Sequence, residues 1–121
     1  GGGFASVRSI LNRLDADPYD GILIRFKGDG KRYQLRLRQG DRMDGVAYFR
    51  HFETKIGEWE EVFLPFHSFQ ASYRGRRLPD YPKLDTTRIS QLGLMISDKQ
   101  EGNFRLEVKR IALYYNEHFQ T

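Results

Sequence analysis

The feature that most constrains the fold is a pair of alternating runs between Tyr19 and Arg38, separated by a short break at positions 28–31. In both runs large apolar residues occupy every second position, which is the spacing of a half-buried β-strand. The break contains Asp29 and Gly30, which suit the left-handed backbone of a two-residue type I′ turn. The pattern therefore predicts a β-hairpin with these residues facing one another: Ile22, Ile24 and Phe26 opposite Leu37, Leu35 and Tyr33.

Four further stretches are rich in β-branched or aromatic residues and are bounded by turn formers, so we expect strands at 45–54, 59–64, 89–97 and 104–115. Helical periodicity is weak, and it predicts only short helices at 9–14 and 66–69. The segment 73–88 carries arginines and prolines with little strand pattern, which predicts a long ordered loop. The sequence thus favours an all-β fold in which two sheets form a β-sandwich around one core.

Length and composition agree with a single domain that spans residues 1–121. The chain has 39% hydrophobic and 14% aromatic residues, which is enough to form a packed core. Cysteine is absent, which excludes disulfides, thiolate metal sites and cysteine nucleophiles. No apolar run reaches the ~20 residues that a membrane helix needs, and no secretion signal is visible. The net charge of +4 favours an acidic partner.

Four groups of motifs occur in the same order between Gly2 and about Tyr114. They are Gly-Gly-Phe-Ala-Ser-Val-Arg at 2–8, Tyr-Asp-Gly-Ile at 19–22 with Lys-Gly-Asp-Gly at 27–30, Gly-Glu-Trp at 57–59 with Leu-Pro-Phe at 64–66, and Ile-Ser-Gln-Leu-Gly-Leu-Met-Ile-Ser-Asp-Lys at 89–99 with Gly-Asn-Phe-Arg-Leu-Glu at 102–107. Together they resemble the complex I intermediate-associated protein family. The resemblance covers nearly the whole chain.

This resemblance implies a galactose-binding-like jelly-roll β-sandwich, similar in build to certain carbohydrate-binding modules. It also implies an intracellular protein that is mitochondrial or plastid in a eukaryote and cytoplasmic in a bacterium. The family pattern usually includes an upstream segment with Met-Gly-Gly, which this chain does not contain. Three interpretations are open: a deliberate shortening, which we favour, a natural fragment, or a domain completed by another chain. A sandwich without its first strands would expose strand edges and apolar surface.

The predicted hairpin places a cationic set on its outward face. These residues are Arg25, Lys27, Arg32, Gln34, Arg36 and Arg38, with Arg50 or His51 as extensions. No acidic side chain interrupts the set, which favours recognition of an anionic partner, although a charged strand face also serves solubility. The predicted loop adds Arg74, Arg76 and Arg77, which match a recurrent Arg-Gly-Arg element of the resembled family. We expect both groups to contact a partner.

Aromatic residues offer a second kind of site, because an exposed ring stacks on sugars. The candidates are Trp59, Tyr48 and Tyr73. The alternation around Trp59 does not decide which face of the strand its side chain occupies. We expect Trp59 to be a buried core anchor. Most of the tyrosines are expected in the core or at sheet edges.

The sequence favours no catalytic or metal function. The three histidines, at 51, 67 and 118, have no evident Ser or Asp partners, and no nucleotide-binding or hydrolase motif is present. The acid pairs Asp41 with Asp44 and Asp98 with Glu101 could hold calcium but are more simply turn residues. We therefore expect no catalytic residue, no metal and no cofactor.

The resulting hypothesis is a non-catalytic protein-binding domain. It would act as an assembly factor or scaffold that binds protein subunits or intermediates of a respiratory complex, complex I, or of a photosynthetic membrane complex, without inserting into the membrane. Three alternatives stay open: sugar binding in the manner of a carbohydrate-binding module, RNA contact through the basic sheet face, and an accessory domain of an enzyme whose chemistry lies elsewhere.

Overall fold

The computed structural model describes residues 6–14, 16–40, 45–97 and 103–115. These ranges contain one 3-10 turn at Phe66–Ser68 and nine strands. The strands are β1 Ser6–Leu14, β2 Gly21–Lys27, β3 Arg32–Gln39, β4 Ala47–Glu53, β5 Trp59–Pro65, β6 Gln70–Tyr73, β7 Arg76–Arg77, β8 Ile89–Ile96 and β9 Glu107–Tyr114.

The strands form two sheets that share one core. The large sheet has six strands in the order β1-β8-β3-β4-β6-β7, and the small sheet has three in the order β5-β2-β9. All the strand pairs within the two sheets are antiparallel. Phe26 of the small sheet meets Phe52 of the large sheet at a ring distance of 4.9 Å. The predicted all-β sandwich is confirmed.

The predicted hairpin between β2 and β3 is wrong. β2 pairs with β5 and β9, whereas β3 pairs with β4 and β8, so the two strands belong to different sheets. Their apolar residues still face the same core, but they do so from opposite sides. Alternation determines which side chains point inward, and it does not determine which strand lies alongside.

The break at 28–31 forms the crossing between the sheets, and Thr54 holds it in place. The Gly30 N–H donates to Thr54 Oγ1 at 3.0 Å, and the same hydroxyl donates to the Lys31 carbonyl at 2.8 Å. Gly28 lies against this threonine so closely that an added Cβ would be 2.3 Å from Thr54 Cβ. A side chain at position 28 would therefore push the two segments apart.

The carboxylate of Asp29 joins the crossing to the start of the last strand. It accepts hydrogen bonds from the Lys31 N–H at 3.1 Å, the Tyr33 hydroxyl at 2.9 Å and the Arg105 N–H at 2.7 Å. Partial burial alone would raise the pKa of Asp29, but these donors together lower the pKa below its ordinary value. Burial and the bond to Asp29 raise the pKa of Tyr33. Asp29 and Gly30 thus act in a crossover rather than in a tight turn.

The other strand predictions are confirmed as β4, β5, β8 and β9, and a short 3-10 turn occupies the second predicted helix. The predicted helix at 9–14 is wrong, because this segment belongs to β1 and pairs with β8. Its helix-like apolar spacing was overridden by pairing with a neighbouring strand, since local propensity is weaker than tertiary context.

The predicted loop at 73–88 begins instead with a hairpin of β6 and β7. Its two turn residues, Arg74 and Gly75, have φ values of 49° and 81°, as a type I′ turn requires. The rest of the segment is fixed to the sheet: the Tyr48 hydroxyl donates to the Pro82 carbonyl at 2.8 Å, and Gln39 Oε1 accepts from the Asp85 N–H at 2.7 Å. Burial raises the pKa of Tyr48, and Tyr81 and Asp85 nearby add to this effect.

Candidate binding surfaces

The first candidate surface is a row of polar side chains along the middle of the large sheet. Arg32, Gln34, Arg36 and Arg38 alternate along β3 with the buried residues Tyr33, Leu35 and Leu37. All four members, which we call the β3 row, therefore point away from the core on the outer face of this sheet. The prediction that these four residues share one face is supported by their position.

Neighbouring groups hold two guanidinium groups of the β3 row. Arg36 donates to Gln34 Oε1 at 2.7 Å, and Arg38 donates to the carbonyl of Gly45 at 2.6 Å. Both side chains are only partly exposed. Binding a partner would therefore cost less side-chain conformational entropy here than at two arginines that are not held.

On one side of the β3 row, β4 contributes an aromatic and a histidine. His51 lies opposite Gln34 and Phe49 opposite Arg36. The two β4 rings meet edge to face at 5.3 Å, and His51 Nδ1 lies 2.9 Å from the Ser97 hydroxyl. The predicted extension through His51 thus agrees with its position. Arg50 lies opposite the inward-facing Leu35 instead, and its Nε donates to the Ser68 hydroxyl at 3.1 Å.

On the other side, β8 places Gln91 directly opposite Arg38. The side chain of Gln91 is only 3% exposed, yet neither its amide nitrogen nor its amide oxygen has a hydrogen-bond partner among the described residues. A buried amide without partners is costly, since each such group forgoes about 1–3 kcal/mol. Because both atoms are buried, the amide is a cost to folding and, like Tyr48, lies too deep for a ligand at the outer face to contact.

The second candidate surface is the basic hairpin, which we define as Arg74, Arg76 and Arg77 in β6–β7 and its turn. The register connects Arg38, Ala47, Ser72 and Arg77 across four strands, so Arg77 shares the outer face with the β3 row. Three strand spacings separate Arg77 from Arg38, which corresponds to roughly 14 Å. Arg77 of the predicted arginine cluster thus lies on the same face as the β3 row, whereas Arg76 alternates to the other side of β7. A cleft of about 540 Å³ opens beside Arg77, with Phe69 and Leu78 in its walls.

The remaining predicted cations, Arg25 and Lys27, lie elsewhere. They occupy the outer face of the small sheet, since their neighbours Ile24 and Phe26 point into the core. The single cationic face that the sequence predicted is therefore wrong, because its hairpin does not form. Arg25 lies 3.8 Å from Glu61 in an ion pair that bridges β2 and β5.

The aromatic candidates divide between surface and core. Trp59 is 43% exposed, so the expectation of a buried anchor is wrong. Its first position in β5 puts it opposite Lys27 on the outer face, where β-strand alternation directs it away from the core. Tyr48 is only 1% exposed and cannot stack on a ligand. Tyr73 is 40% exposed, and the guanidinium carbon of Arg74 lies 5.3 Å from its ring centre.

Comparison with known proteins identifies the family. The sequence model of complex I intermediate-associated protein 30 (CIA30) matches residues 1–108. This chain belongs to that family. The mitochondrial protein of this name from Mus musculus is 29% identical over 104 residues, which cover 83% of this chain and 32% of the mouse protein. The one from Drosophila melanogaster is 26% identical over 128 residues, 94% of this chain and 43% of the fly protein. The chain thus spans less than half the length of these relatives.

Solved structures establish the fold of this CIA30 family member. A family 11 carbohydrate-binding module from Clostridium thermocellum, in complex with a β-1,3-1,4-mixed-linked tetrasaccharide, superposes with a TM-score of 0.72 at 18% identity, covering 93% of this chain and 68% of the module. The module of cellulase Lic26A-Cel5E gives 0.74 at 17% identity. The galactose-binding-like jelly-roll sandwich that the resemblance implied is confirmed.

Within the described ranges of this CIA30 chain, no group of three or more His, Asp or Glu side chains could hold a metal ion. His67 is exposed on the 3-10 turn. The predicted acid pairs at 41 and 44 and at 98 and 101, together with His118, lie outside the described residues. The same ranges include no helix that is long and apolar enough to cross a membrane.

Two residues of the outer face could not be recognised from the sequence of this CIA30 chain. Gln91 and Phe49 lie in apolar-looking strands, and only the register reveals that they flank the β3 row. The one available signal was alternation along β8, where Gln91 and Gly93 interrupt the apolar positions Ile89, Leu92 and Leu94. A polar residue in such a strand indicates the outer face of the sheet.

Proposed function

We propose that residues 1–121 form a non-catalytic protein-binding domain that acts in the assembly of respiratory complex I, at the mitochondrion in a eukaryote. The observation that carries the proposal is membership of the CIA30 family, whose curated mitochondrial relatives are named for their association with complex I intermediates. The β3 row and the basic hairpin supply a surface with the properties that such binding requires. An unassembled subunit is the partner that this domain would hold.

The chemistry of the surface explains how a partner would be bound. Arg38 and Arg77 lie on one face, and guanidinium groups bind carboxylates through two parallel hydrogen bonds. Arg36 and Arg38 are already oriented by Gln34 and Gly45, so their geometry is set before the partner arrives. Their charge also accelerates encounter with an acidic surface. The bound subunit would be released during assembly, when the subunit that it contacts in the finished complex competes for the same carboxylates.

The test is complementation in the organism from which the chain derives. A strain without the gene would receive the full-length protein carrying either Arg36→Glu with Arg38→Glu or, as a control of equal charge change, Lys55→Glu with Lys83→Glu on exposed loop positions. We expect the control to restore assembled complex I on native gels, and the β3 variant to accumulate intermediates. Full restoration by the β3 variant would contradict the proposed surface.

A second candidate function is sugar binding on the same outer face. The observation that favours it is the superposition on a carbohydrate-binding module that holds a mixed-linked tetrasaccharide, because the partly exposed Gln34, Arg36 and His51 offer donors and acceptors for sugar hydroxyls on this face. This candidate function predicts retention on mixed-linkage β-glucan that changes little with salt and is lost in Arg36→Ala. Absence of retention at low salt would exclude it for this glucan.

A further inference from the structure

A separate surface occupies one end of the small sheet. We call it the Trp59 corner and define it as Trp59, Ile56, Arg25, Lys27 and Lys109. Ile56 is 80% exposed and Trp59 is 43% exposed, so two large apolar side chains contact water within one short stretch of chain. Ile56 forms an isolated bridge with Gly28, directly after Lys27, while Trp59 is the register partner of Lys27. The corner is therefore built by three neighbouring strand ends.

Three cations converge on the single indole of this corner. The ammonium groups of Lys27 and Lys109 each lie 5.6 Å from the centre of the Trp59 ring, and the guanidinium carbon of Arg25 lies 5.9 Å from it. Like charges gathered around one ring repel one another, and the attraction of each for the ring is worth only about 0.5–1 kcal/mol at an exposed site. An anion bound here would relieve that repulsion.

Carboxylates of the chain neutralise the corner only in part. Glu61 lies 3.8 Å from Arg25, and Glu107, the register partner of Lys27, forms its ion pair with Arg105 at 3.0 Å. On either side of Trp59, Glu58 is exposed, and Glu60 accepts from the Lys55 N–H at 2.9 Å. Positive charge therefore predominates directly at the indole, where the three cations converge. Trp and Arg are among the residue types most enriched in interaction hot spots, and the corner contains both.

The charges also indicate the class of partner. Polynucleotide binding depends on neutralising many phosphates, and Glu61 and Glu107 on this face would oppose a phosphate backbone. A protein segment that combines acidic and apolar residues fits better: its carboxylates meet the cations, its apolar side chains cover Trp59 and Ile56, and its basic residues tolerate the two glutamates. Charge complementarity therefore favours an acidic protein segment.

We infer that the Trp59 corner docks an acidic, apolar-containing segment of a second protein while the outer face of the large sheet binds the first. The outer faces of a sandwich point in opposite directions, so one partner does not obstruct the other. The inference rests on the proposed function, to which it adds a bridging role. The domain would hold two assembly components together, rather than shield one.

The first test uses the protein's own fluorescence. Trp59 is the only tryptophan in the chain, so its emission reports on this corner alone. The probe is a short peptide of alternating glutamate and leucine, titrated at low salt and monitored by Trp59 emission and by the anisotropy of a label on the peptide. We expect saturable binding that weakens as salt rises. Single-stranded oligouridylate, titrated in the same way, should not bind.

Variants separate the corner from the rest of the surface. Trp59→Ala should weaken peptide binding roughly 30-fold in the anisotropy assay, the effect of losing a hot-spot side chain. Lys27→Glu with Lys109→Glu should weaken it at least as much, whereas Lys83→Glu, a charge reversal at the cleft beside Arg77, should leave it unchanged. Unfolding midpoints of all variants confirm that they fold. Tighter binding of oligouridylate than of the peptide, or equal peptide binding by the wild type and Trp59→Ala, would overturn the inference.

The bridging role has its own readout, which keeps it distinct from the proposed function. In captures from the organism's membranes, Trp59→Ala should retain the partners of the large sheet and lose a second set of proteins. If it retains every protein while Arg36→Glu with Arg38→Glu loses them, the proposed function stands and the inference fails. If neither variant loses any protein, both fail.

Discussion

The side chain of Gln91 is almost closed to water, and neither of its polar atoms has a partner among the described residues. Among these residues, folding has removed the amide from water without supplying hydrogen bonds, which costs stability. The register places this cost in β8, opposite Arg38. A single buried residue thus carries a free-energy cost that a substitution can measure.

Gln91→Met should stabilise the free protein. Methionine fills a similar volume without polar atoms, so the free energy of unfolding should rise by about 1–3 kcal/mol. Urea unfolding of wild type and variant measures the difference, and Gln70→Met on an exposed position of β6 is the control that should change little. A loss of stability in Gln91→Met would contradict this interpretation, since it would mean that the amide is satisfied in solution.

Asp29 should make the stability depend on pH in the acid range. Its pKa is lower in the folded protein than its ordinary value of 3.8, so its contribution is complete above that value and is lost as the pH falls toward the lowered pKa. Asp29→Asn removes this contribution. The stability difference between wild type and Asp29→Asn should therefore be largest near neutral pH and shrink below about pH 4. Asp80→Asn is the exposed control, and a difference that does not vary with pH would contradict the role of the carboxylate.

At the scale of strands, the sequence predicted the inward and outward positions of β2 and β3 but not their partners. Apolar residues at every second position define a face whatever the neighbouring strand is, and both strands do present that face to the core. The Asp-Gly pair suggested a tight turn, yet the contacts of Thr54 and Asp29 that form the crossing come from distant segments. Such long-range contacts leave no local signal in the sequence. Because they accompany the placement of β2 and β3 in different sheets, the cations of the two strands lie on different faces.

Pairs of cysteines distinguish the two pairings, in a chain that has no cysteine of its own. Arg25 and Glu61 are register partners in the small sheet, so Arg25→Cys with Glu61→Cys should react with a short thiol crosslinker. The predicted hairpin would instead have paired Arg25 with Gln34. Arg25 and Gln34 lie on opposite outer faces of the sandwich. Their separation therefore exceeds the ~10 Å between two packed sheets, and this second cysteine pair should not be crosslinked. Efficient crosslinking of the second pair would contradict the two-sheet topology.

Thr54 should be important for the crossing through its hydroxyl rather than its shape. Thr54→Val keeps the volume but removes the group that bridges Gly30 and Lys31, and should lower the free energy of unfolding by about 2–3 kcal/mol. Thr54→Ser keeps both hydrogen bonds and should lose only about 1 kcal/mol for the missing methyl group. Urea unfolding measures both values. An equal loss in the two variants would show that packing, not hydrogen bonding, holds the crossing.

At the scale of the whole molecule, the sandwich separates its cationic groups onto two outer faces, with the β3 row and basic hairpin on one and the Trp59 corner on the other. The sequence resemblance predicted the fold and the family, because motifs spread along the chain carry that information. It did not predict the two faces, since that division depends on the sheet to which each strand belongs. That residues 1–121 act as one domain stays a prediction.

The central claim is that the outer face of the large sheet captures subunits of a respiratory membrane complex. The most direct measurement is crosslinked capture from detergent-solubilised membranes of the source organism, with proteins identified by mass spectrometry. The wild-type domain and Lys55→Glu with Lys83→Glu should both recover complex I subunits, and Arg36→Glu with Arg38→Glu should lose them while keeping its unfolding midpoint. Equal recovery by the folded β3 variant, or no complex I subunit in the wild-type capture, would contradict the claim.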